Sequence, residues 1–282
     1  MIPAFVMKML RFIPDRPYIM LQYYYHFHRL PRLNNPQTFN EKLQWLKLND
    51  RKPIYTTMVD KVLAKDYVAK IIGDEHIIPT LGVWKNADDI DFESLPERFV
   101  LKTNHDSHGV VVCKNKAELD ITKTREFLNK QLTKNGFWYG REWPYKNVER
   151  RILAEEYLDD NGDDLIDYKL MCFNGEVKCS FICSDRYNAN GLHVTFFDKD
   201  WNLMPFERSH PARKDGFPKP SRYADMVKYA EAISKDMKFA RIDFYEVDGE
   251  VYFGEITHYP GCGFEAFQPE EWDYRLGSWL KL

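Results

Sequence analysis

Two rhythms of polar and apolar residues run along the chain. Runs rich in β-branched and aromatic residues predict strands over 76–84, 99–104, 110–114, 151–158, 165–173, 176–184, 193–197, 203–206, 239–246 and 250–257. Apolar residues recurring every three to four positions predict helices over 1–13, 18–30, 56–72, 117–132 and 223–237. Thr38-Phe-Asn-Glu41 is a capping box that opens a further helix, with Phe39, Leu43 and Leu46 on one face. Asn174-Gly175 joins two strands as a hairpin signal, and Asp248-Gly249 joins the last two.

That last hairpin organises the chain. Asp243 and Glu255 are carboxylates inside otherwise apolar strands, which is costly unless something pairs with them, and a divalent cation is a good partner. The turn decides whether both serve one ion. A two-residue loop with regular pairing sets Asp243 opposite Gly254 and turns Glu255 to the other face. A three-residue loop, Val247-Asp248-Gly249, sets Glu246 opposite Glu250 and leaves Arg241, Asp243, Glu255 and Thr257 on one face. The three-residue loop is expected because the chemistry needs it; Asp243 and Glu255 are then diagonal neighbours.

Composition narrows the function classes. The chain has 282 residues, 44% hydrophobic and 29% charged, enough for a sizeable core in one large domain or two lobes. A net charge of −3 argues against a nucleic-acid partner. Five cysteines without a regular framework argue for reduced thiols and a cytoplasmic setting. Cys179 and Cys183 share a strand face and could form a zinc site with Cys172, but buried inert thiols are the expectation. No stretch is long and apolar enough to cross a membrane. Residues 1–13, with Lys8 and Arg11, suit a helix packed on the body of the protein or resting on a membrane surface.

Other candidate residues stand out. Lys102, inside an apolar strand, calls for an anion. The loop Thr103-Asn-His-Asp-Ser-His-Gly109 between two strands can present backbone N–H groups to phosphate. Glu155 and Glu156 alternate on opposite sides of one strand, with Glu155 expected to face the nucleotide. Asp167 and Lys169 share a face of another. The carboxylate-rich turn 159–164 lacks the spacing of a calcium loop. Arg208, His210 and Arg213 make the loop 207–223 mildly basic.

Arg241-Ile-Asp243 followed by Glu255-Ile-Thr257-His-Tyr-Pro260-Gly261 resembles the metal-binding end of the ATP-grasp superfamily. From about Thr38 onward the chain resembles the TupA-like ATP-grasp proteins associated with bacterial cell-surface polysaccharides. The resemblance implies an α+β fold: two lobes of mainly antiparallel sheet with helices, gripping ATP. It implies an N-terminal helical extension over 1–55, an N-lobe with a phosphate flap over 56–157 and a C-lobe with the metal hairpin over 158–282. It assigns ATP contacts to Lys61, Lys102, Asn104, His105, Ser107, His108, Gly109, Glu155, Glu156, Tyr157, Leu158 and Lys169. It assigns Mg²⁺ to Asp243, Glu255 and Thr257, and catalytic roles to Arg241 and Lys169. Thr257 departs from the asparagine that many relatives carry there.

The reaction implied is ATP-dependent joining of a carboxylate to an amine through an acyl phosphate. The substrate expected is a small molecule or glycan precursor, such as a uronic acid. A kinase acting on a sugar hydroxyl would use the same phosphate grip. A non-catalytic nucleotide-binding assembly factor is the third class.

Overall fold

The computed structural model describes residues 11–159, 165–184 and 191–282. Two compact units make up the chain: Lys52–Leu165, and Met1–Arg51 together with Ile166–Leu282. Most of the helix expected over 1–13 and most of the turn 159–164 fall outside the described residues.

Lys52–Leu165 holds two consecutive helices, α3 (Ile54–Val59) and α4 (Leu63–Ile72), where one helix over 56–72 was expected. Asp60 makes the break. Its backbone is extended and its Oδ1 accepts from the N–H groups of Val62 and Leu63, satisfying donors at the start of α4. A four-stranded antiparallel sheet follows, in the order β1 (Thr80–Trp84), β4 (Ile152–Glu156), β2 (Phe99–Thr103), β3 (Val110–Cys113). Helix α5 (Ile121–Leu132) packs Leu128 against Phe99, Leu101, Ile152 and Ala154, because alternation sends these strand residues to one face. A short helical turn, α6 (Phe137–Gly140), follows it in the chain.

The other unit is built on a five-stranded antiparallel sheet in the order β10 (Glu250–Thr257), β9 (Phe239–Val247), β5 (Tyr168–Phe173), β6 (Glu176–Ser184), β7 (His193–Asp198). Helix α7 (Tyr223–Ser234) covers one face with Met226, Ala230 and Ile233. The other face carries Met171, Phe173 and Phe239. Helix α2 (Phe39–Asn49) packs Phe39 against Phe173 and Phe239, with ring centroids 5.6 and 5.0 Å apart. Helix α8 (Glu271–Trp279) lies against α2, and a two-stranded ribbon pairs β8 (Glu207–Arg208) with β11 (Phe267–Gln268).

Three sequence expectations change here. Residues 11–51 are not set apart as an extension; they are built into the C-terminal sheet's unit. The capping box at Thr38 and Glu41 is formed, Asn40 N donates to Asp273 Oδ1 at 2.9 Å, and Lys42 Nζ donates to the carbonyls of Gly277 and Leu280. Gly277 is required there, since a Cβ would stand 2.2 Å from the Gln37 carbonyl oxygen. Residues 203–206 form no strand beyond one bridge from Leu203 to Phe197, and the strand lies instead at β8, in the stretch expected to be loop. The three-residue loop of the last hairpin is also replaced. Glu250 pairs with Val247, so the turn is Asp248-Gly249, with left-handed φ of 52° and 78°.

The cysteines do not gather. A bulge after Met171 and the strand pleat send Cys172 toward the Ala230 carbonyl and Cys179 toward Met171 Sδ, on opposite faces. Burial pushes both thiols up to about 12. Helix α1 (Asp15–Phe27) leaves Leu21, Tyr24 and Tyr25 exposed, and among the described residues no helix is long and apolar enough to cross a membrane.

Candidate active site

The two-residue turn would put Glu255 on the wrong face if β10 paired regularly. It does not. The register shifts at Gly254: Phe253 faces Phe244, but Glu255 faces Asp243 and Thr257 faces Arg241. A β-bulge thus supplies the extra residue that the sequence reading placed in the turn. The two acids become direct cross-strand partners instead of diagonal ones. Gly254 suits the position, because a Cβ there would lie 3.1 Å from the Asp243 carbonyl oxygen.

The polar row continues across the sheet. Asp243 pairs with Lys169 on β5, and Lys169 with Phe181 on β6. Arg241 Nε donates to Asp243 Oδ1 at 2.7 Å, and its Nη2 donates to Asp243 Oδ2 at 2.6 Å and to Glu255 Oε1 at 2.8 Å. Lys169 Nζ donates to Asp243 Oδ2 at 2.6 Å and to Asp167. Thr257 Oγ1 lies 3.4 Å from Glu255 Oε1. Asp243 is buried and Glu255 partly exposed.

Burial pushes the Lys169 ammonium down, but Asp167 and Asp243 more than offset it and hold its pKa above the ordinary value. The Arg241 guanidinium is raised against burial by Asp243 and Glu255. Burial pushes the Asp243 carboxyl up while Arg241 and Lys169 pull it down; with two cations on its oxygens the geometry supports the carboxylate.

The donor set suits Mg²⁺. This ion keeps waters and substrate phosphates among its ligands and takes one or two protein carboxylates, not a full protein cage. Asp243 and Glu255 supply that number. Among the described residues no cluster of three His, Cys, Asp or Glu gathers as a preformed cage. Asp167 Oδ1 is buried without a hydrogen-bond partner, a further oxygen beside Lys169.

The unit Lys52–Leu165 has its own charged cluster. Glu155, on β4, is bracketed by Lys102 Nζ at 2.5 Å and Lys65 Nζ at 2.6 Å. Lys65, on α4, also donates to the Ile78 carbonyl and Thr80 Oγ1. Burial acts to raise the Glu155 carboxyl, yet Lys102 and Lys65 hold it below the usual range; burial lowers Lys65. Lys102 thus has its anion, but inside the protein. Lys65 was not singled out in the sequence, because a helix lysine is ordinarily solvated. Its place among buried Ala64 and Val68 is the signal that marks it.

The loop after Lys102 is closed by Asp106. Its Oδ1 accepts from Thr103 Oγ1 at 2.6 Å and from the N–H groups of His108 and Gly109, so these two are turned inward. Asn104 is buried, with its amide tied to the backbone of Glu149 and Arg151. Lys61 Nζ donates to the Asp106 carbonyl at 2.7 Å. His105 is buried, and burial lowers its pKa. Ser107 and His108 are exposed. Glu156 is exposed, opposite in direction to Glu155, and its N–H donates to the Pro79 carbonyl; Tyr157 lies under the Arg98 guanidinium, and Leu158 is half-buried.

A family model described as TupA-like ATPgrasp matches residues 41–281. No curated protein matches the chain. Solved structures similar to it include an ADP complex of N5-carboxyaminoimidazole ribonucleotide synthetase (15% identity, TM-score 0.48, 78% of this chain and 50% of that one). Others are D-alanine–D-alanine ligase from Bacillus anthracis with ATP (16%, 0.43, 71% and 55%) and the ATP-grasp ligase PsnB with a phosphomimetic variant of its minimal precursor, Mg and ADP (9%, 0.42, 78% and 57%). The chain spans about half the length of these structures.

Proposed function

The chain belongs to the TupA-like ATP-grasp family, and from that premise we propose that it is an ATP- and Mg²⁺-dependent carboxylate–amine ligase working through an acyl phosphate. The observation that carries the reading is the row Glu255, Asp243, Lys169 with Arg241 beside it, on the sheet face that also carries Met171, Phe173 and Phe239. Mg²⁺ held by Asp243 and Glu255 would neutralise triphosphate charge. Lys169 is assigned to phosphate oxygens. Within Lys52–Leu165 the anion candidate is Lys102, where a phosphate would compete with Glu155 for it and for Lys65. Ser107 and His108 are the loop side chains exposed for contact. A substrate carboxylate attacks the γ-phosphorus, ADP leaves, and an amine then displaces phosphate to give the amide. Arg241 stabilises the tetrahedral oxyanion of that second step. The substrate we assign is a uronic-acid-containing surface polysaccharide or its precursor, joined to an amino acid or amine.

The test is incubation with ATP, Mg²⁺ and an extract of surface-glycan precursors, read by mass spectrometry. Ligation gives a product lighter by one water than its two parents. A product heavier by a phosphate on a hydroxyl group would replace the ligase with a kinase. Arg241→Met should slow amide formation about 10²–10³-fold, while hydroxylamine still traps a hydroxamate from the activated carboxylate.

A further inference from the structure

The row that carries Asp243 and Lys169 ends on two phenylalanines, Phe181 and Phe196. Over these rings lies the guanidinium of Arg208, 4.6 and 5.2 Å from their centroids. Arg241 approaches the same Phe181 ring at 5.8 Å. Arg208 is 6% exposed and is fixed by the pairing of β8 with β11. Its Nε and Nη1 are buried and make no hydrogen bond within the protein. Glu265 Oε2 lies 3.1 Å from Nε but is not aligned to accept from it, and that oxygen also makes no hydrogen bond.

The neighbouring cations differ. Arg241 Nε and Nη2 donate to Asp243 and Glu255, and Lys169 Nζ donates to Asp167 and Asp243. Leaving a buried charged donor unbonded is expensive, so a site that does so is shaped for an acceptor that arrives from outside. A guanidinium selects a planar two-oxygen anion over a point charge. The carboxylate already beside it, Glu265, is itself packed against Gly261, where a Cβ would stand 2.1 Å from Oε2.

We infer that Arg208 is a substrate-binding residue that takes a carboxylate through its unfilled donors, at the end of the row opposite Glu255. The ligase reading enters only in naming that carboxylate as the substrate's; the binding itself does not depend on it.

The experiment uses the full chain and acetate as the minimal carboxylate. Amide signals of Phe181 and Ser209 are followed by NMR as acetate, inorganic phosphate or chloride is added at matched ionic strength, and MgADP is titrated into the same samples. Acetate should shift these signals saturably, and chloride should not. Arg208→Met should lose the response, and Arg208→Lys should weaken it about tenfold, with MgADP binding unchanged in both. If Arg208→Met does not fold, Arg208→Lys carries the comparison. An absent acetate response in the wild type, an equal response to chloride, tighter binding of phosphate than of acetate, or an undiminished response in the variants would overturn the assignment. Failure of MgADP to bind the wild type would instead count against the ATP reading and leave the acetate result standing.

Discussion

Asp243 accepts from Arg241 and Lys169 together, so the two acids of the hairpin respond differently to substitution. Glu255→Gln removes a proposed metal ligand while Arg241 keeps both bonds to Asp243; turnover should nearly vanish with little change in urea unfolding. Asp243→Asn strips two buried cations of their anion. It should abolish turnover and also destabilise by on the order of 3–5 kcal/mol, the cost of breaking a buried pair. Thr257→Ala should do less than either, and a larger effect on turnover would mean the ligands are misassigned. Glu155 adds a pH prediction. Its folded pKa lies below its unfolded value of about 4.3, so its contribution is complete above that value and is lost as pH falls through the lower, folded one. At pH 7 Glu155→Gln should cost on the order of 3–5 kcal/mol, and urea midpoints of variant and wild type should converge in acid. These residues were legible because charge inside an apolar strand is conspicuous. Lys65 was not, since it lies on a helix, and Arg208 stood out only as one charge of a mildly basic loop.

At the scale of elements, the phase of the last hairpin was legible and its mechanism was not. Reading the chemistry demanded one extra residue between Asp243 and Glu255, and periodicity cannot say whether a turn or a bulge provides it. The bulge makes a specific prediction. Deleting Gly254 moves Glu255 into the regular position opposite Asp243, so Mg²⁺-dependent ADP binding should survive. Inserting one alanine after Gly254 leaves Glu255 opposite Ile242 and turns it to the face covered by α7. Calorimetry should then show a loss as large as that of Glu255→Gln. Equal tolerance of both changes would mean that the bulge does not set the acid's direction. The capping box at Thr38 was readable because its bonds are local; the break at Asp60 was not, since the apolar period runs straight through it.

For the molecule as a whole, the sequence showed two groups of strands but not that residues 11–51 belong with the second. The contacts that join them, such as Phe39 on Phe173 and Asn40 on Asp273, span more than a hundred positions and leave no periodic trace. Lys47 is fully buried against the Cys262 carbonyl and the Phe264 ring. A chain lacking residues 1–51 should therefore fail to fold its five-stranded sheet, with near-UV circular dichroism lost, although every strand of that sheet is present. A cooperative unfolding transition as steep as the wild type's would show that α2 is dispensable.

One unit is continuous in the chain while the other is interrupted by it, and this imposes an order in time on synthesis. Residues 52–165 can close their sheet as soon as they leave the ribosome. Phe39, Leu43 and Leu46 emerge earlier, yet the strands that cover them begin only at β5 and the cover is completed by β9 and α8 near the far end. At about 5–20 residues per second the wait is on the order of 10–50 s. Through that interval α2 carries an uncovered apolar face, the kind of surface that holdase chaperones bind. Nascent chains stalled near residue 200 should yield a protease-resistant fragment from 52–165 while the N-terminal fifty residues are digested away.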